Sequence, residues 1–219
     1  MAQPDPVTVL GAGPVGATLA RALARSGRTV TIGVRHPQAD PVRELLAQLG
    51  TGSLAATPGD AIRANHIILA AIPGPSPPEL IDAHASALAG KLIIDASNDL
   101  RAGHASGTLS ALPHLAQKVP SALGYHAFNS LGWENMADPR FGDTAADLFY
   151  AGPATDDRTV VESLITDVGF RPQYVGAGPD AHQAVDSLAT LWFALAFGQH
   201  RGRRLAFRLL TDTPNPPTA

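Results

Sequence analysis

The chain has no cysteine among its 219 residues. Disulfides and thiolate metal sites are therefore excluded. Lysine is almost missing as well: Lys91 and Lys118 are the only two, and arginine carries the rest of the positive charge. Charged residues amount to 16% and the net charge is -3, which offers no basic field to a nucleic acid or another polyanion. No apolar run approaches the roughly 20 residues of a membrane-spanning helix. Residues 1–6 lack the basic start and apolar stretch of a signal peptide, so a cytoplasmic location without a membrane partner is expected. No His and carboxylate share a metal-ligand spacing, and no serine stands in a nucleophile-elbow context. No metal site is expected.

What is present is a hydrophobic share of 45% and enough length to bury a substantial core. The pattern around the first glycines organises the reading. Val7-Thr8-Val9-Leu10 reads as a buried strand, and Gly11-Ala12-Gly13-Pro14-Val15-Gly16 follows at once. Residues 17–26 then read as a helix. A Gly-x-Gly-x-x-Gly run carries weight only in such a strand–turn–helix context. Gly11 permits the tight turn, Gly13 lets the backbone approach a pyrophosphate, and Gly16 lets helix and strand pack closely. The free N–H groups and dipole of the helix face the anion, so Pro14 and Val15 belong to the expected cofactor set.

Residues 29–33 form a second strand after the helix-ending Gly27, making a right-handed parallel βαβ unit. NAD sites usually place Asp or Glu at the end of this strand to hold the ribose. This chain reads Gly33-Val34-Arg35-His36-Pro37 there. An arginine suits a 2′-phosphate through charge and a bidentate fork, so NADP(H) is expected, with Val34 and His36 flanking Arg35.

Further βα alternation follows. Residues 41–49 and 58–64 read as helices around a weak strand at 52–56, and residues 66–72 as a central strand. Ile72 and Pro73 open a rigid Pro-rich loop, either a wall over the cofactor or a plain turn. Residues 79–88 read as helix and 92–95 as strand, with Ser97 and Asn98 at its ligand-facing end. A helix broken near Pro113 is expected within 106–119, and strands at 121–128, 147–151 and 171–175. Thr155 or Asp156 caps a helix to Val168. From Asp180 one long helix begins, apolar nearly all round over 188–197, which predicts burial on several sides between the sheet and a second subunit. The fold class is thus α/β: a Rossmann-type doubly wound, mostly parallel sheet with a small C-terminal helical subdomain. Its divisions are 1–178, binding NADP(H), and 179–219, closing the cleft and dimerising.

The Gly-x-Gly-x-x-Gly, the Gly-x-Arg after the second strand, Ile-Ile-Asp-Ala-Ser-Asn at 93–98, His-Ala-Phe-Asn at 126–129, Ala-Asp-Pro-Arg-Phe at 137–141 and the terminal Val-Asp-Ser-Leu-Ala-Thr-Leu-Trp helix occur together. In this combination the chain resembles the NADPH-dependent coenzyme F-420 reductase family, which includes F-420:NADP oxidoreductases and the oxidoreductase domain of the STEAP metalloreductases. The resemblance implies a cytoplasmic homodimer in which residues 126–129 line the cleft where nicotinamide meets a deazaflavin or flavin. Family members carry a Ser before the phosphate-binding Arg, where this chain has Val34.

Hydride transfer requires the nicotinamide and acceptor at roughly 3–3.5 Å with water excluded. A deazaflavin such as coenzyme F-420 needs no strong acid at the carbon that receives hydride, whereas a small carbonyl or imine substrate needs a proton donor. His126 is the first candidate, with Asn129 and Tyr125 next. An NADP(H)-sensing protein without catalysis is the reading from another class, and a cleft plugged by Trp133 or by the loop after Pro73 would mark it. Arg201, Arg203, Arg204 and Arg208 either complement a helix dipole or meet an anionic tail.

Overall fold

A computed structural model of the protein describes residues 4–72, 76–97 and 110–212. Strands and helices alternate through β1 (Val7–Leu10), α1 (Pro14–Arg25), β2 (Val30–Gly33), α2 (Asp40–Leu49), β3 (Leu54–Ala56), α3 (Pro58–Ala64), β4 (Ile67–Ala70), α4 (Ser76–Leu88), β5 (Leu92–Asp95), α5 (Leu112–Lys118) and β6 (Leu123–His126). These six strands are parallel, in the order β3-β2-β1-β4-β5-β6. This is the doubly wound dinucleotide-binding order. β9 (Asp147–Ala151) joins β6 in antiparallel fashion, and β10 (Arg171–Gly176) pairs parallel to β9 at the edge.

Alternation along each strand supplies both faces. Val7, Val9, Ile67, Leu69, Leu92 and Ile94 face a core shared with α1, α2 and α7 (Arg158–Val168). Leu10, Ile68 and Ile93 face a second core with α3, α4 and α5. Both faces are covered, which is why these strands read as continuous apolar runs.

The last residues of the parallel strands lie in one row. Gly33 and Ala70 pair with Leu10, Asp95 with Ala70, and His126 with Asp95. Every loop of the expected site leaves the sheet from this row.

Several elements differ from the sequence reading. α6 (Trp133–Ala137) and the hairpin of β7 (Arg140–Phe141) and β8 (Thr144–Ala145) are too short to show a period. The helix expected from a cap at 155 or 156 starts at Arg158 with Asp157 before it. Pro113 lies in the first turn of α5, where a missing N–H costs nothing; it does not break the helix. The terminal helix α8 runs Pro179–Phe193 and continues as a π-helical turn, Ala194–Gly198. It is not buried all round. Val185, Ala189, Trp192 and Ala196 are buried, while Leu191 and Phe197 are each 48% exposed.

The arginine cluster lies beyond the helix, and Arg203, Arg204 and Arg208 bond to groups of the chain itself. Arg203 pairs with Glu134 and lies over the Trp192 ring. Arg204 bonds Asp138 at 2.9 Å and lies over Phe141. Arg208 donates to the Ala145 carbonyl. Arg201 is exposed. The chain after α8 is thereby strapped across α6, β7 and β8.

Candidate functional site

The glycine loop has the geometry of a dinucleotide turn. Gly11 adopts φ +98°, and a Cβ there would lie 2.6 Å from the Ala71 carbonyl oxygen. A Cβ on Gly16 would lie 2.2 Å from the Gly11 oxygen. Both glycines are required by the chain itself. Gly13 differs: a Cβ there would meet nothing within 4 Å. Its bareness leaves room for something outside the chain, in front of the first turn of α1. Pro14 is exposed and Val15 half-buried at that turn. The first i-to-i−4 bond of α1 is the Ala17 N–H donating to the Gly13 oxygen at 2.8 Å, so the N–H groups of Val15 and Gly16 point out of the helix end.

β2 ends at Gly33, whose carbonyl accepts from the Gly11 N–H at 2.9 Å and so ties the two loops together. Val34 is half-buried, and Arg35 and His36 are exposed. Among the described residues no carboxylate pairs with Arg35, whereas Arg43 is engaged by Asp40. Ile72 is half-buried beside the glycine loop, its Cγ2 3.4 Å from the position of a Gly11 Cβ. Pro73 and Asn98 lie outside the described residues. Ser97 is buried, and its N–H donates to Asp95 Oδ1 at 2.8 Å. Asp95 Oδ2 accepts from Ser110 Oγ and the Ala111 N–H at 2.7 and 2.9 Å. Asp95 thus clamps the two ends of the segment between β5 and α5.

At the end of β6 the chain turns sharply. Phe128 is buried with φ 65°, a conformation costly for a bulky side chain and commonly found at functional sites. The turn brings the Asn129 amide back to 2.6 Å from His126 Nε2. The same nitrogen is 2.8 Å from Asp186 Oδ1 on α8. His126 Nδ1 is buried without a hydrogen-bond partner. The polar contacts of the ring therefore all run through Nε2. Tyr125, the neighbour, faces the opposite side of the strand. Its hydroxyl donates to the Pro153 carbonyl at 2.7 Å, burial raises its pKa, and it does not join the cluster. Ser187 is exposed and bonds back to the Gln183 carbonyl at 2.8 Å.

Sequence reasoning missed His182 and Asp186. Their i, i+4 spacing puts both on one face of α8, and that spacing was the available signal. The His182 ring stacks on His126 at 5.9 Å and 23°. Burial, then the neighbouring His126, holds its pKa below the usual histidine value. His182, Gln183 and Asp186 line a cleft of about 590 Å³ between α8 and α5, with Gly124 of β6 beneath. That volume falls within the range of ligand pockets, about 300–1,000 Å³. Gly124 and His126 share one face of β6, so the cleft adjoins the end of the row from which the cofactor loops depart.

Residues 6–99, which hold the glycine loop, Arg35 and Asp95, match the family model described as NADP oxidoreductase, coenzyme F420-dependent. The matched stretch runs from β1 to just beyond the end of β5. A structure from Arthrobacter sp. fb24, provisionally assigned as an F420-dependent NADP reductase, is similar with 26% identity and a TM-score of 0.81. The match covers 94% of this chain and 100% of that one. A hypothetical protein, SMa0349 from Sinorhizobium meliloti, is similar at 25% identity and TM-score 0.70, covering 95% and 96%. The imine reductase of Streptomyces aurantiacus shares the fold at 21% identity and TM-score 0.67. This chain covers 64% of its length and 89% of its own. No curated protein matches the sequence.

The domain's nucleotide fits the loops described. Gly13 leaves open space at the helix end, and Arg35 is an exposed cation at the end of β2, where a 2′-phosphate is read. The model that residues 6–99 match is that of an NADP oxidoreductase, and no helix among the described residues is long and apolar enough to cross a membrane.

Proposed function

We propose that the protein is an NADPH-dependent reductase that passes hydride to a deazaflavin or flavin-type acceptor, coenzyme F420 or a flavin. The supporting observation is that the glycine loop and His126 belong to one row of strand ends, with a ligand-sized cleft adjoining the His126 end. Gly11, Gly13, Pro14, Val15 and Gly16 would hold the pyrophosphate. Val34, Arg35 and His36 would hold the 2′-phosphate end, and Ile72 and Ser97 would border the nicotinamide side. NADPH bound there supplies the hydride from its nicotinamide C4. The chain's share is to fix that ring against the cleft and to keep water out.

A second reading, reduction of a small carbonyl or imine, has its own support: the imidazoles of His126 and His182 sit one behind the other beside a cleft of about 590 Å³. Trp133 does not line that cleft, and Pro73, where the other expected plug begins, lies outside the described residues. A homodimer is part of the proposal, since Leu191 and Phe197 leave an apolar face of the terminal helix exposed. A cytoplasmic site, where NADPH is supplied, completes it.

The test is NADPH oxidation, followed by nicotinamide absorbance, with F420, FMN, FAD and a panel of ketones and cyclic imines. Turnover fastest with F420 or a flavin supports the first reading, and turnover with imines or ketones alone the second. No turnover above the blank with any of them rejects both.

A further inference from the structure

His126 is the histidine that the sequence points to, yet it is 0% exposed and does not line the cleft. A ring so enclosed cannot touch an acceptor in this arrangement. His182 stands between it and the cleft. It is half-buried, lines the cleft wall, and stacks on His126 at 5.9 Å. Among the described residues its ring nitrogens have no hydrogen-bond partner, in contrast to His126 Nε2, which Asp186 and Asn129 occupy.

We infer that His182 is the catalytic residue that touches the hydride acceptor, donating a hydrogen bond from its ring to the oxygen or nitrogen conjugated to the carbon that receives hydride. This rests on the reading that the acceptor enters the α5–α8 cleft. His126 is a positioning residue. It packs behind His182 and fixes Asp186, which sits one turn further along α8.

The chemistry balances without an additional reactant. Hydride leaves the nicotinamide C4 and bonds to the acceptor carbon (in a flavin, to ring N5), giving NADP⁺. The displaced π pair moves to the conjugated heteroatom, which takes a proton from water. The His182 N–H meets the charge that develops there, a role suited to a neutral imidazole. The groups facing His182 are His126 of β6, Asp186 of α8 and Asp95 of β5. Burial and the adjacent His126 ring disfavour a proton on His182, which keeps it in that neutral, donating form near pH 7. The acceptor class is a planar molecule whose reducible carbon is conjugated to a carbonyl oxygen or ring nitrogen, which deazaflavins and cyclic imines satisfy; a flavin differs in taking the hydride on ring N5.

The test uses the full-length protein and the variants His182→Ala and His182→Gln. With the acceptor that the wild type reduces best, His182→Ala is expected to lose about 100-fold in kcat, the scale of removing one preorganised donor. NADPH affinity stays at the wild-type value. His182→Gln, which keeps an N–H, recovers most of the rate. Wild-type kcat and KM in His182→Ala would overturn the inference. A separate readout is independent of turnover: ¹⁵N resonances of the His182 ring in the NADP⁺ complex, titrated with riboflavin and with a cyclic imine. A shift with either supports the contact, and no shift with both rejects it. Failure to bind NADPH at all would instead reject the proposed function, leaving the His182 resonances to decide the contact on their own.

Discussion

His126 Nε2 lies 2.8 Å from Asp186 Oδ1, which joins the end of β6 to the middle of α8 across 60 residues of sequence. The bond fixes the terminal helix against the sheet beside the cleft. Both partners are buried, with side-chain exposures of 0% and 11%.

His126→Ala is expected to destabilise the protein strongly. Removing one partner of a buried pair costs about 3–5 kcal/mol, which for a chain of this size corresponds to a fall in melting temperature of roughly 10 °C. Calorimetry or urea unfolding reads this directly. A change within about 0.5 kcal/mol, as for an ordinary surface site, would show that the pair does not anchor α8.

The glycine loop separates folding from binding. Gly16→Ala forces a Cβ to within 2.2 Å of the Gly11 oxygen, so the turn must shift and stability falls by about 1–3 kcal/mol. Gly13→Ala meets nothing in the chain and folds normally. Its NADPH affinity drops at least about tenfold, equivalent to 1.4 kcal/mol. Thermal melting alongside NADPH titration distinguishes the two variants. Equal melting and equal binding loss in both would contradict the assignment.

Stability should fall on acidification through His182. Burial, then the neighbouring His126, holds its pKa in the folded protein below the ordinary histidine value of about 6.5. Below 6.5 the unfolded chain therefore takes up a proton before the folded one does. Stability contributed by the neutral ring is complete above that value and is lost as pH falls toward the folded pKa. Urea midpoints measured downward from neutral pH should decline over this window in the wild type and less in His182→Gln. Parallel declines would remove His182 as the cause.

Much of this was readable from the chain, and the reasons differ by region. The βα alternation and both ends of the glycine loop were legible because strand burial and glycine sterics are local. Arg35 was legible as an arginine where a carboxylate is usual. The His126 cluster was only half legible. The histidine could be placed at a strand end, but its partner Asp186 comes from α8, and no local pattern encodes a contact spanning 60 residues. The apolar run at 188–197 suggested burial on several sides, between the sheet and a second subunit. Within this chain one flank is exposed at Leu191 and Phe197, because composition alone does not say which sides of a helix meet their own chain. The arginines after α8 could not be assigned, since their partners Glu134 and Asp138 lie about 65–70 residues earlier, a sequence separation outside the reach of local charge patterns.

The central claim is that the loops along the sheet edge hold NADPH through Arg35. Titrating wild type and Arg35→Ala with NADPH and NADH, followed by nicotinamide fluorescence, tests it most directly. The account predicts that the wild type prefers NADPH, that Arg35→Ala loses about tenfold or more in NADPH affinity, the scale of one charge-assisted contact, and that NADH binding hardly changes. Equal losses for both nucleotides, or no preference for NADPH in the wild type, would contradict it.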